Sequence, residues 1–104
     1  MARRAVRISA RARRWFLHKV AELNELNPQA AIRLMARFQQ FRENLAEFSG
    51  MGVMGDIPGT RRVVMAPYVL TIRVTATAIE IVAIRHGKQK DARSPADVDD
   101  GTES

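Results

Sequence analysis

The residues best suited to chemistry are a set of mostly basic side chains in the second half of the chain. The set comprises Arg61, Arg62, Arg73, Arg85, His86 and Lys88, together with the neutral Gln89; we call it the basic set. Arginine and lysine bind phosphates and carboxylates through charge-assisted hydrogen bonds. Histidine changes its protonation near neutral pH and can act as a general acid or base. The set predicts an anion-binding surface, a metal-free RNA-cleaving site, or a solvated basic sheet edge without further function.

Other kinds of site lack support in the sequence. The chain has no cysteine and only two histidines, His18 and His86, which lie far apart. Zinc needs three or four ligands at suitable spacing, so we expect no metal and no cofactor. A phosphate-binding glycine loop is absent, and the acidic residues show no pairing typical of glycosidases. No apolar run reaches the ~20 residues of a membrane span, and we expect no signal peptide.

Charge divides the chain into two parts. All 17 lysines and arginines precede Ser94 together with seven of the 11 acids, so residues 1–93 carry a net charge of +10. The segment 94–104 holds four acids and no base. We predict one domain over 1–93 and an acidic, disordered tail over 94–104. A domain this basic is expected to bind a polyanion or an acidic protein.

The first half of the chain predicts one strand and two helices. Weak alternation over 3–9 indicates an edge strand, and Ser9 is placed to cap a helix over 10–24. Asn27 and Pro28 start a second helix that runs to about residue 48. The apolar stripes of the two helices, at spacings of three and four, are Ala12, Phe16, Val20 and Leu23, then Ala31, Leu34, Met35, Phe38, Phe41, Leu45 and Phe48. The short link predicts an antiparallel hairpin. Trp15, beside the first stripe, is interpreted as an aromatic at the edge of the core.

The second half predicts three strands, at 61–66, 68–75 and 79–85, after a flexible loop over 49–59. β-Branched residues dominate, and the middle strand alternates strictly. The third strand is nearly all apolar, which favours a central position. The fold class is therefore α+β, in the order β-α-α-β-β-β, with the helices packed on an antiparallel meander. If the third strand also pairs with the first, the basic set gathers at one end of the sheet.

Three segments of this pattern resemble the RelE/ParE superfamily of bacterial type II toxins, over about residues 5–91. They are Gly59-x-Arg61-Arg62, Pro67-Tyr68 with Arg73-Val74, and the run from Ile84 to Gln89. Members resembling RelE cleave mRNA in the ribosomal A site, whereas members resembling ParE poison DNA gyrase. For an RNase, the resemblance implies His86 as acid or base and Arg85, Arg61 and Arg62 as phosphate clamps.

The chain departs from the RelE pattern at several positions. Val69 and Gln89 stand where that pattern has arginines, no tyrosine follows Tyr68, and Arg61 and Arg62 only loosely replace its lysines. These differences favour the ParE branch and a non-enzymatic gyrase inhibitor, with the basic set as its target-binding residues. The alternatives are a ribosome-dependent mRNA endonuclease and a basic binding module without toxicity.

The resemblance also implies partners. Such toxins act in the cytoplasm and often stabilise plasmids. Each is silenced by a cognate antitoxin, whose acidic C-terminal segment wraps the toxin, and a basic body suits that segment. The pair binds operator DNA through the antitoxin. The remaining partner is gyrase or, in the alternative, the ribosome and its mRNA.

Overall fold

One sheet with two helices on one of its faces forms the protein. The computed structural model describes residues 4–47, 53–54, 58–87 and 102–103. Its elements are β1 (Ala5–Ser9), α1 (Ala10–Leu26), α2 (Pro28–Glu47), β2 (Val53–Met54), β3 (Thr60–Met65), β4 (Tyr68–Val74), β5 (Ala78–His86) and β6 (Thr102–Glu103). The predicted α+β class and the order of the main elements are confirmed. No helix of the described residues is long and apolar enough to cross a membrane.

The strand order is β2-β3-β4-β5-β1-β6. β3, β4 and β5 form the predicted antiparallel meander. β1 pairs with β5 in parallel, because the chain leaves β1 through the two helices, crosses to the far side of the sheet and returns to β5 through β3 and β4. β5 therefore lies inside the sheet, as its apolar sequence predicts. The idea that the third meander strand, β5, also pairs with the first, β3, is wrong, because β4 separates them.

Two further expectations need correction. The predicted loop over 49–59 contains β2, whose Val53 and Met54 pair with Arg62 and Arg61. The tail predicted to be disordered contains β6, which pairs with Ile8 and Ser9. β1 is thus an edge strand except at these last two residues. The rest of 94–104 lies outside the described residues, and the division of the chain at residue 93 stays a prediction.

The core lies between the helices and the facing side of the sheet. Ala12 and Phe16 of α1 and Leu34, Phe38 and Leu45 of α2 pack against the strands. The sheet contributes Val63, Met65, Leu70, Ile72, Ile79, Ile81 and Ile84. Phe16 and Phe38 stack with ring centroids 4.1 Å apart, which joins the two helices. The predicted stripes are confirmed except at Met35, which is 52% exposed, and Phe48, which lies outside the described residues.

Ser9 joins α1 to the middle of the sheet. Its buried Oγ accepts from Ala12 N at 3.1 Å, which makes it the predicted helix cap. The same hydroxyl donates to Val82 O at 3.2 Å. Val82 is the extra residue of a β-bulge, because Thr71 pairs with Ala83 and Ile72 with Ile81. The bulge shifts the pairing register, and the Ser9 hydroxyl donates a hydrogen bond to the carbonyl of the extra residue, Val82.

Replacing Ser9 with alanine is expected to lower the free energy of unfolding by about 2–3 kcal/mol, since it removes both a helix cap and the buried hydrogen bond to the Val82 carbonyl. Asn27→Ala is the matched control. It removes the exposed cap bond from Ala30 N to Asn27 Oδ1, with no buried partner, and should cost about 0.5–1 kcal/mol. Urea unfolding of both variants measures the difference, and equal losses would contradict the role of the Ser9–Val82 bond.

Candidate target-binding surface

Strand alternation sends three arginines to the sheet face that lies away from the helices. Arg62 pairs with Thr71, Arg73 with Thr60 and Arg85 with Val69. Directly opposite residues share a face, and these positions alternate with the core residues of the same strands. Arg7 of β1, opposite Glu80, lies on the same side. We call this surface, with Arg7, Arg62, Arg73 and Arg85, the arginine face.

Arg62, Arg73 and Arg85 form a triangle on this face, with Arg73 on the middle strand β4 and Arg62 and Arg85 on the strands to either side. Arg85 lies level with Val69, Arg62 level with Thr71, and Arg73 two residues further along β4. Two residues of strand span about 7 Å, so successive arginines are about 7 Å apart along the strand direction. Arg62, Arg73 and Arg85 are each half-buried, and their stems lie partly against the sheet while carrying charge at its surface.

The balance of charge in these strands is strongly positive. β1, β3, β4 and β5 together contain five arginines and a single acid, Glu80. Glu80 lies directly opposite Arg7 on one neighbouring strand and Arg73 on the other, so acid and base alternate across these strands. Among the described strands, no acidic residue is paired across from Arg62 or Arg85. The field of the face is therefore positive, and it suits an acidic surface or a phosphate backbone.

The predicted single cluster is not formed. Arg61 pairs with Ile72 and so lies on the helix side of the sheet, at the end far from His86. His86 pairs with Tyr68, also on the helix side, whereas the adjacent Arg85 lies on the arginine face. The prediction failed because it placed β5 next to β3. Lys88 and Gln89 lie outside the described residues, and their role stays a prediction.

His86 belongs to an aromatic cluster with Tyr68 and Trp15. The Tyr68 and His86 rings meet edge-on with centroids 6.1 Å apart, and Trp15 meets Tyr68 in the same way at 5.8 Å. The Nζ atom of Lys19 lies 5.4 Å from the Trp15 ring centroid, a cation–π contact. The cluster ties α1 to the start of β4 and the end of β5. It confirms Trp15 as an aromatic at the edge of the core, packed against it but only partly buried.

The backbone after His86 is held by hydrogen bonding to the turn at Pro67, between β3 and β4. Gly87 N donates to Pro67 O at 2.7 Å, and Arg85 Nη1 donates to His86 O at 3.1 Å. A Cβ atom at position 87 would lie 3.1 Å from Pro67 O, so glycine permits this close approach. Sequence reasoning missed the aromatic cluster. Pairing the Pro67–Tyr68 turn with the chain around Gly87 would have revealed it.

The geometry limits the chemistry available. A general base and its phosphate clamps must converge on one reacting group. His86 is separated by the thickness of the sheet from Arg62 and Arg85, and by the length of the strands from Arg61. No group of histidine and acidic side chains able to hold a metal occurs in the described part of the chain. The arrangement can bind an anionic surface through the arginine face, with the aromatic cluster serving a structural role.

Comparison with known proteins gives consistent results. The family model described as "ParE toxin of type II toxin-antitoxin system, parDE" matches residues 6–91. Y4kP of Sinorhizobium fredii (strain NBRC 101917 / NGR234), named as a candidate toxin, is 33% identical over 92 residues, covering 86% of this chain and 95% of the relative. A solved structure titled "Chromosomal ParDE TA system from P. aeruginosa" has the same fold. Its TM-score is 0.72 at 18% identity, with 83% of this chain and 98% of that chain covered.

Proposed function

Because the chain belongs to the ParE family of type II toxins, we propose that it arrests growth by binding DNA gyrase rather than by cleaving RNA. The observation that carries this proposal is the separation of His86 from Arg62 and Arg85, which lie on opposite faces of the sheet. An endonuclease needs these groups together, whereas a binding protein needs only a surface. The arginine face supplies such a surface.

The proposed target contacts are three residues of the arginine face, Arg62, Arg73 and Arg85. They lie on three adjacent strands and at three levels along them, which spreads positive charge over an area of the face and suits an extended acidic surface better than a single small anion. Arg61, at one end of the sheet, and His86, at the other, are proposed to border the contact. Lys88 and Gln89, which lie outside the described residues, stay predicted target contacts from the sequence alone. In such an interface the charges set orientation and association rate, and the desolvated pairs set the lifetime of the complex.

As a type II toxin, the protein has a cognate antitoxin as its partner. We place the pair in the bacterial cytoplasm, where gyrase acts, and assign operator binding to the antitoxin alone. An acidic antitoxin segment would complement the +10 charge of residues 1–93. Expression of the antitoxin should therefore suppress every effect of the toxin, because the bound complex leaves no free toxin to reach its target.

Expression in a bacterial host tests the proposal. Induction is expected to stop growth, and co-expression of the antitoxin is expected to restore it. Two measurements made soon after induction separate the possible targets: plasmid superhelicity on chloroquine gels and primer extension along abundant mRNAs. We expect altered superhelicity with intact mRNA. Cuts phased with codons, appearing before any change in superhelicity, would instead identify a ribosome-dependent endonuclease, and undisturbed growth would exclude both.

A further inference from the structure

A cleft between the start of β1 and the last turns of α2 lies apart from the arginine face. It has a volume of about 300 Å³. Its lining residues are Arg4, Ala5, Val6, Gln39, Arg42, Glu43 and Ala46. Arg4 N donates to Ala46 O at 2.9 Å, and Arg42 Nη2 donates to Val6 O at 3.2 Å. These two bonds hold the edge of β1 against α2, and they fix the position of both arginines beside the cleft.

Arg4 carries an unusual donor. Its Nε atom is buried and has no hydrogen-bond partner among the described residues. Guanidinium groups stay protonated in proteins, so the Nε–H cannot avoid the cost by losing its proton. A buried donor left unsatisfied costs about 1–3 kcal/mol, and such donors are rare in native proteins. A rearrangement of the Arg4 side chain that brings an acceptor to this donor would remove the cost.

The charges of the lining select the acceptor. Arg4 and Arg42 contribute two positive charges and Glu43 one negative charge, which leaves a net charge of +1. One carboxylate neutralises this lining, whereas a phosphate dianion would leave it negative. A carboxylate also offers two coplanar oxygens that match the donors of a guanidinium.

We propose that this cleft binds a single carboxylate side chain presented by an acidic polypeptide segment, with the guanidinium groups of Arg4 and Arg42 as its two cations. The cleft has room for one such side chain at its volume of about 300 Å³. The site involves the helix side of the sheet, so it does not depend on gyrase being the target of the arginine face.

The test uses the ¹⁵N-labelled full chain and three probes: a capped tetraglutamate peptide, its tetraglutamine counterpart and inorganic phosphate, all at one ionic strength. The Arg4 Nε–H signal is identified as the one missing from Arg4→Lys. We expect tetraglutamate to shift it saturably and tetraglutamine to leave it unchanged. A shift absent with tetraglutamate, or tighter binding of phosphate than of tetraglutamate, would overturn the carboxylate assignment.

Two pairs of variants with matched charge test the lining. Arg42→Gln should weaken tetraglutamate binding about tenfold, whereas Arg33→Gln, an exposed arginine on the same helix, should not. Glu43→Gln should tighten binding about threefold by removing repulsion, whereas Glu25→Gln at the exposed end of α1 should have no effect. The glutamate pair decides the question even if Arg42→Gln destabilises the fold. If Arg42→Gln changes tetraglutamate binding no more than Arg33→Gln does, and Glu43→Gln no more than Glu25→Gln does, the proposed site is refuted.

Discussion

Replacing Arg62, Arg73 and Arg85 together with glutamine is expected to abolish growth arrest by the chain expressed without its antitoxin. These arginines share the face of the sheet away from the helices, on three adjacent strands. Losing one partner of a desolvated charge pair commonly costs 2 kcal/mol or more, so the triple variant should bind its target at least about 1,000-fold more weakly. Glutamine is preferred to glutamate because a new acid at position 73 would face Glu80.

The matched control changes the same number of charges elsewhere. Arg14, Arg33 and Arg37 are exposed residues of the two helices, and their triple glutamine variant has the same net charge as the first. We expect this control to arrest growth like the unaltered chain. Circular dichroism and thermal unfolding establish that both variants fold. Equal loss of arrest in the two variants would mean that only overall charge matters, and full arrest by the face variant would exclude the arginine face.

Phe38→Ala is expected to cause the largest loss of stability. Phe38 is only 6% exposed and stacks on Phe16 with centroids 4.1 Å apart and planes at 25°. Removing a buried phenylalanine costs about 3–5 kcal/mol, because the cavity it leaves is only partly refilled. Domains of this size have about 5–15 kcal/mol of stability in total, so the variant should be close to unfolding. The two helices would then lose their contact with each other and their shared position on the sheet.

Phe41→Ala provides the comparison for Phe38→Ala. Phe41 lies on the same helix but is only partly buried at the edge of the core, so its loss should cost about 1–2 kcal/mol. The midpoints of urea unfolding measure both variants. If the two differ by less than about 1 kcal/mol, the packing of Phe16 on Phe38 does not hold the helices together as described.

The sequence predicts elements well where one local rule suffices. The helix stripes containing Phe16, Phe38 and Leu45 agree with the core, since a period of 3.6 residues places them on one side. Ser9 caps α1 because its side chain reaches the N–H of Ala12, three residues on. The prediction that Met35 belongs to the core was wrong, because the predicted stripe was wider than the contact that α2 makes. The Met35 side chain is 52% exposed.

The strand order required information that local patterns do not contain. The apolar run of β5 predicts burial, but it would be buried equally beside β3 or beside β1. The parallel pairing with β1 depends on the crossover through the two helices, and no local sequence pattern predicts which strand β1 will pair with. The bulge at Val82 added a further shift of register. For these reasons the arginines were predicted correctly as strand residues and incorrectly as one cluster.

A supercoiling assay with purified components tests the central claim most directly. Relaxed plasmid, ATP and gyrase are incubated with increasing amounts of the chain, alone or preloaded with its antitoxin. We expect supercoiling to fall and cleaved plasmid to accumulate, an effect lost with the antitoxin and with the Arg62, Arg73 and Arg85 triple variant. Undiminished supercoiling at a large molar excess of a chain that still arrests growth in cells would contradict gyrase as the target.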